Sequence, residues 1–345
     1  EKLSKKNYFI FGFTFGLGFL GLYFLWIINP FLVFEETKNY SFLSIILILI
    51  ISLIFASIFY LCKIIFNTLI PNYFLVPLIF IIIEIFISRF IYGFPWLTFS
   101  LIISNLEFGL SLIKFTGTIF TGTFILLLFC TPYYMIKNSK IQKIIFIFSF
   151  FFIIFISITL TQNYFNKNKI EYDSLKVKIV QMNNSIDTYE NLTLSKTYNQ
   201  ILDSIKNTKA DLIIFGENNY PYLIESLNFS KIQSILNENQ TIIFGGTRKD
   251  SKQYYNSLLL INKKEVKKFD KKILVPFGEF VPLRKYIQFM NKIAGPNDFT
   301  SGSDKRIISI NNEYNFIPII CYEMIFYWKL INKINYDSDF IINIT

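Results

Sequence analysis

The sequence predicts an α-helical transmembrane bundle followed by a water-compatible α/β domain, and three observations predict it. The chain of 345 residues is 52% hydrophobic and 19% aromatic but only 17% charged, where soluble domains carry about 25% charged residues. Its long uncharged runs all lie before about residue 166. Beyond that point short β-branched and aromatic runs alternate with longer polar, helix-like stretches, the pattern of a layered α/β fold. Forty-one Phe residues also exceed what a water-soluble core of this size hides.

Residues 1–162 are expected to form the bundle, with five spans at about 8–34, 41–62, 72–92, 115–136 and 144–166. Each has the ~20 apolar residues a spanning helix needs. None shows the polar face that a buried helix of a soluble protein presents every 3.6 residues, and a signal peptide does not account for five such runs. Lys2, Lys5 and Lys6 precede the first span, Lys63 follows the second, and Lys137, Lys140 and Lys143 lie between the fourth and fifth. These share one side, which the positive-inside rule makes cytoplasmic. Five spans starting inside place residues 163–345 outside the cytoplasm.

Glu84 is the odd residue of the third span. A carboxylate at mid-depth is costly and is expected to face the bundle interior, there either fixing helix packing or touching a lipid headgroup or cavity wall. The loop Tyr92-Gly93-Phe94-Pro95-Trp96 closes that span: Gly and Pro stop the helix, and the aromatic residues suit the membrane interface.

In residues 163–345 strands are expected at 176–182, 211–215, 241–245, 257–262, 306–310, 315–320 and 339–344, with helices at 188–207, 222–237, 283–293 and 323–333. The Lys-rich stretch Lys263–Lys272 reads as a solvated hairpin or loop.

The composition also excludes chemistry. There is no His, so Ser-His-Asp, Cys-His and His-ligated zinc mechanisms are out. Three Cys are too few for a disulfide framework or a four-Cys zinc site. Neither a cofactor nor a metal is expected. The net charge of +10 suits an anionic lipid surface; without a basic stripe or a recognition motif it does not indicate nucleic acid.

Three places look chemical. Asp211-Leu-Ile-Ile-Phe-Gly-Glu217 is a buried-type strand that delivers a carboxylate at its exit. Phe269 to Leu283 is apolar and turn-forming, yet carries Lys271 and Glu279. Phe316-Ile-Pro-Ile-Ile-Cys321-Tyr322-Glu323 ends a strand at the only Cys of this half. Separately, a solvated strand end, an interface loop and an inert buried thiol would explain them. Together they supply a base, an ammonium and a nucleophile without imidazole. Glu217 can take the thiol proton, Lys271 can lower the thiol pKa and hold an oxyanion, and the Cys321 thiolate can form near neutral pH, although a free Cys titrates at about 8.5.

That Glu-Lys-Cys constellation resembles the nitrilase (carbon–nitrogen hydrolase) superfamily. Lys271-x-x-Leu-Val-Pro-Phe-Gly-Glu279-Phe-Val-Pro-Leu283 and Ile320-Cys-Tyr-Glu323, following a multi-span half with Gly93-Phe94-Pro95-Trp96, are similar to the apolipoprotein N-acyltransferase family within it. Val177-Lys-Ile-Val-Gln181, Tyr255-Asn-Ser257 and Phe340-Ile-Ile-Asn-Ile-Thr345 resemble strands of its catalytic domain. The resemblance implies a nitrilase-like αββα sandwich over 163–345, truncated at its C-terminus, in a multi-pass protein of a bacterial inner membrane with the catalytic domain on the periplasmic side. It implies catalytic roles for Glu217 as base, Lys271 as oxyanion holder and Cys321 as acylated nucleophile. Glu279 would support the Lys or the substrate, and Tyr322 and Glu323 would shape the pocket behind the nucleophile. The implied reaction is ping-pong: an acyl chain passes from a phospholipid to Cys321 as a thioester, then to the N-terminal amine of a diacylated apolipoprotein. Phe215-Gly216 stands where the family often has Trp-Pro, and Phe99-Ser100-Leu101 where it often has Gly-Tyr-Ser-Gln. The family has eight spans, so the sequence reads as an internal piece lacking two N-terminal spans and one C-terminal span. Rival readings are a membrane-tethered amidase, with water replacing the amine, and a catalytically dead lipid-binding scaffold.

Overall fold

The computed structural model describes residues 4–33, 35–66, 72–90, 92–137, 175–183, 194–291, 295–330 and 337–345, with 140, 143–144, 147–148, 151–156 and 158–159. The chain divides into two compact units, Glu1–Glu171 and Tyr172–Thr345.

The first unit is helical. Ser4 opens the helix Lys5–Tyr23 by accepting the Asn7 N–H at 3.2 Å, as an N-cap serine does. The run expected as one span at 8–34 is a bent pair: Lys5–Tyr23 and Leu25–Leu32 meet at 64°. Pro30, in the first turn of the short helix Asn29–Leu32, lacks the N–H that a continuous helix would need there. Helix Phe42–Phe66 packs along Lys5–Tyr23, and small residues permit the approach. A Cβ on Gly12 would lie 2.9 Å from Phe59 Cβ, and one on Gly16 would lie 3.1 Å from Ser52 Cα. Close backbone contact through small residues is the usual helix–helix device in lipid. Helix Asn72–Arg89 places Phe80 edge-on to the rings of Phe15, Phe55, Phe59 and Phe99.

The helix expected at 115–136 is observed at Glu107–Phe129. The expected start at 115 falls just after Lys114, but the helix runs through that lysine and breaks instead at Gly117, where φ is +80°. By length and apolarity, Glu35–Ile65 and Glu107–Phe129 can cross a membrane, and the bent pair makes a third if it is one span. The described positions of the run 144–166 include helical residues 151–156; the others of that run are partly outside the described residues.

Glu84 is buried, facing the interior as expected, and its carboxylate accepts the Phe99 N–H at 3.2 Å. It thereby caps the short 3-10 turn Phe99–Ile103. The Gly93–Trp96 loop folds back on its own unit. The Phe94 N–H donates to Ile87 O at 2.8 Å, the Tyr23 hydroxyl donates to Trp96 O at 2.8 Å, and the Trp26 and Trp96 rings lie 5.1 Å apart.

The second unit holds two sheets. The larger runs β1 (Val177–Val180), β2 (Leu212–Phe215), β3 (Thr241–Asp250), β4 (Gln253–Ile261), β5 (Val266–Asp270) in that spatial order, parallel from β1 to β3 and antiparallel from β3 to β5. The smaller sheet places β7 (Tyr314–Ile320) between β6 (Ile308–Ile310), antiparallel, and β8 (Phe340–Ile344), parallel. Alternation along the strands sorts the core. Ile213, Phe215, Ile242, Phe244, Leu259 and Ile261 pack with Ile201, Leu202 and Ile205 of helix Leu194–Lys206. Leu212, Ile243, Leu258 and Leu260 pack instead with Phe316, Ile320, Ile342 and Ile344 of the smaller sheet.

Several elements differ from expectation. The Lys-rich stretch, by contrast, is a hairpin as expected: Asn262 Oδ1 accepts the N–H groups of Lys264 and Glu265, turning β4 into the antiparallel β5. Of the helix expected at 222–237 only Ser230–Ile235 forms. The stretch 283–293 holds turns and the 3-10 segment Gln288–Met290, and 323–333 begins in the 3-10 segment Cys321–Ile325 followed by Tyr327–Leu330. Part of the expected helix 188–207 lies outside the described residues.

Candidate active site

The five strands of the larger sheet and the end of β7 bring the sequence's three chemical places to one point. β2 ends at Phe215, and Gly216 and Glu217 follow. Asn218 then turns at φ +55°, and the Tyr220 N–H donates to Gly245 O at 2.9 Å. The Glu217 backbone thus crosses directly over β3. Gly245 is what permits this, since a Cβ there would sit 2.7 Å from both Glu217 Cα and Asn218 N. β5 ends at Asp270, so Lys271 is the first residue past the sheet, and its N–H donates to Asn256 O at 2.8 Å.

Lys271 is only 1% exposed. Its ammonium lies 2.9 Å from Glu279 Oε1 and 3.3 Å from Glu217 Oε1. Asn256 Nδ2 donates to the same two oxygens, at 2.7 Å each. Glu279 Oε2 accepts the Val275 N–H at 2.8 Å, which folds the 271–279 loop over its own carboxylate. Burial works against the Lys271 charge, but the two carboxylates outweigh it and hold the ammonium's pKa above its ordinary value. Lys271 is therefore a permanent cation in a dry setting, where an oxyanion would be stabilised most.

Cys321 sits where β7 breaks into the 3-10 turn, at φ +48°. For a residue with a side chain that is a sparsely populated conformation, of the kind concentrated at functional sites. It projects the thiol off the strand end, where the Glu217 carboxylate and the Lys271 ammonium both act on it electrostatically. The Thr345 hydroxyl donates to Sγ at 3.3 Å. All three cysteines, Cys62, Cys130 and Cys321, are free thiols.

The balance of influences on the thiol runs against the expected thiolate near neutral pH. Burial pushes the Cys321 thiol up and the adjacent Glu217 carboxylate adds to the effect, while Thr345 and Lys271 pull the other way without prevailing. A thiol held up beside a carboxylate is suited to proton removal during attack rather than before it.

Tyr322 and Glu323 lie behind this point. Burial pushes the Tyr322 hydroxyl up to about 12, and its ring packs 5.0 Å from Phe326. Glu323 is fully buried. Oε1 accepts the N–H groups of Lys272 and Ile273 at 2.9 and 3.1 Å, and Oε2 accepts that of Ile320 at 3.0 Å. Its cation is Arg306, at 2.6 Å.

Asn256 and Arg306 were missed as site residues. Asn256 was visible only inside Tyr255-Asn-Ser257, and nothing in that triplet announces a carboxylate bridge. Its Oδ1 is buried and without a hydrogen-bond partner among the described residues, an acceptor still open. Among the described residues no group of three or more His, Cys, Asp or Glu is placed to hold a metal ion.

Residues 1–132 match the apolipoprotein N-acyltransferase N-terminal domain. An apolipoprotein N-acyltransferase of Wigglesworthia glossinidia brevipalpis is 29% identical across 97% of this chain and 69% of its own length. One of Aquifex aeolicus is 25% identical across 93% of this chain and 72% of its own length. One of Brucella suis biovar 1 is 30% identical over 131 residues; that match spans 34% of this chain and a quarter, 25%, of the relative. These comparisons bear out the resemblance carried by the motifs, along nearly the whole chain.

Proposed function

We propose that this chain, similar along nearly all its length to apolipoprotein N-acyltransferases, is itself a lipoprotein N-acyltransferase that works through Glu217, Lys271 and Cys321. The observation that carries the reading is the meeting of a thiol, a carboxylate and a buried ammonium at one point.

Cys321 Sγ attacks the ester carbonyl carbon of a phospholipid acyl chain while Glu217 takes the thiol proton. The carbonyl oxygen becomes an oxyanion opposite the Lys271 ammonium. Collapse breaks the ester C–O bond, and the lysophospholipid alcohol leaves with the proton from Glu217. A thioester remains on Cys321. The α-amine of a diacylated apolipoprotein then attacks that carbonyl, Glu217 accepts the amine proton, and the thiol is regenerated as the amide forms. Glu279 and Asn256 keep Lys271 and Glu217 in place through both halves. Three features support this assignment of roles: the 1% exposure of Lys271, the 3.3 Å approach of its ammonium to Glu217, and the left-handed turn at Cys321. The catalytic unit is read as an αββα sandwich on the periplasmic side of a bacterial inner membrane, and residues 1–162 as a multi-pass bundle.

Full-length protein incubated with phosphatidylethanolamine vesicles, without acceptor, should gain one acyl mass on Cys321. Neutral hydroxylamine should remove it, since thioesters are cleaved readily and amides poorly. Acylation that survives Cys321→Ala but is lost with Cys62→Ala or Cys130→Ala would defeat the assignment.

A further inference from the structure

Arg306 is a buried cation with no counterpart in the chemistry above. It precedes β6, yet it touches both sheets. Its guanidinium stacks 5.0 Å over the ring of Phe269, two residues before Lys271 on β5. Nη1 donates to Pro318 O at 3.0 Å, three residues before Cys321 on β7. Nη1 and Nη2 also grip the two oxygens of Glu323, at 3.1 and 2.6 Å. Glu323 in turn divides its oxygens: Oε1 holds the N–H groups of Lys272 and Ile273, and Oε2 holds that of Ile320. One carboxylate is thus tied to the backbone just after the candidate oxyanion holder and just before the candidate nucleophile.

We infer that Arg306 is a positioning residue: by fixing Glu323 and bridging β5 to β7, it sets the distance between the Lys271 ammonium and the Cys321 sulfur. Three features argue against a merely space-filling role. A buried ion pair is weak evidence for stability and is often replaceable by apolar residues. This one is bidentate and stacked, the geometry only arginine supplies. Its outer contacts fall on the two strands that end at the site residues, and on the backbone next to each. Fixing a reacting pair to within about half an ångström is what supporting groups contribute to an active site. The inference rests on the proposed roles of Lys271 and Cys321, and deepens them.

The test uses the protein with Cys62→Ala and Cys130→Ala, which leaves Cys321 as the remaining one of the three thiols in this sequence. Arg306→Lys keeps the charge but loses the fork and the stack; Arg306→Met keeps the apolar stem and loses the charge. Each is scored for thermal midpoint, for Cys321 alkylation by iodoacetamide against pH, and for single-turnover acylation from phosphatidylethanolamine vesicles. With Lys271 displaced, alkylation should shift to higher pH in both variants. Acylation per folded molecule should fall at least tenfold, with the lipid concentration at half-saturation unchanged, and Arg306→Lys should keep more activity than Arg306→Met. A folded Arg306→Lys protein with the parent's alkylation profile overturns the inference, as does a fall in acylation that tracks lost folded protein alone. If the parent is not acylated at all while alkylation still shifts, the acyltransfer reading fails and the positioning role stands.

Discussion

Glu217→Gln separates the two effects of one carboxylate. The substitution keeps volume, and the amide oxygen can still accept from Asn256 Nδ2, now at 2.7 Å, and from Lys271, now at 3.3 Å. Lys271 keeps its closer partner, Glu279, at 2.9 Å, so the loop should hold. Two things change. The site loses its proton acceptor, and a positioned general base contributes about 10²–10⁴-fold in rate. It also loses the negative charge that helps hold the Cys321 thiol up. Removing that charge lowers the thiol's pKa, so more thiolate is present at any neutral pH. A small neutral alkylating agent needs only the thiolate and should react faster. Phospholipid acylation also needs a proton carried to the leaving alcohol, and should slow by about 10²–10⁴-fold. The two rates, followed by intact mass at pH 7 with Cys62 and Cys130 replaced by Ala, should move in opposite directions. Parallel loss of both would mean that Glu217 only organises Lys271; acylation within tenfold of the parent would remove it from proton transfer.

Lys271→Arg should abolish turnover despite the retained charge, because a guanidinium has no room in a position 1% exposed and one lost oxyanion donor costs about 10²–10³-fold; Lys272, whose backbone N–H alone binds Glu323, should accept the same change. Gly245→Ala puts a methyl 2.7 Å from Glu217 Cα and should cost about 1–3 kcal/mol by overpacking, with slower acylation in the folded fraction; denaturant melts and single-turnover rates check both. Asn239→Cys, at an exposed turn, should react with an impermeant thiol reagent in spheroplasts, and labelling only after lysis would reverse the orientation proposed for the second unit.

How far the sequence carried can be judged residue by residue. The helices of the first unit were legible because its apolar runs carry no polar face. The position of the fourth was not, because the uncharged run begins only after Lys114, while a long charged side chain can sit within such a helix by snorkelling. The strands of the second unit were readable from β-branched runs with one exception. Val266–Asp270 is written mostly in lysine, and its strand character comes from pairing with β4 and from Asn262 turning the chain. The helices failed where tertiary contacts replaced propensity, as at Cys321–Ile325, whose shape is set by Glu323 and Arg306 from inside. Glu217, Lys271 and Cys321 were visible as types in order; the geometry adds their meeting. Asn256 and Arg306 act through distances that no spacing in the chain encodes.

Glu84 imposes an order on assembly. In the multi-pass bundle proposed above, helix Asn72–Arg89 standing alone in hydrocarbon would leave its carboxylate without a partner, and such a group in lipid opposes stable insertion. The partner it has in the folded unit is the Phe99 N–H, ten residues past the helix end. That N–H is presented only once the chain has turned at Gly93 and come back along the helix. The third hydrophobic segment is therefore completed by the loop after it. In that proposed bundle, biogenesis would have to bring residues 93–103 home before the preceding helix settles in the bilayer.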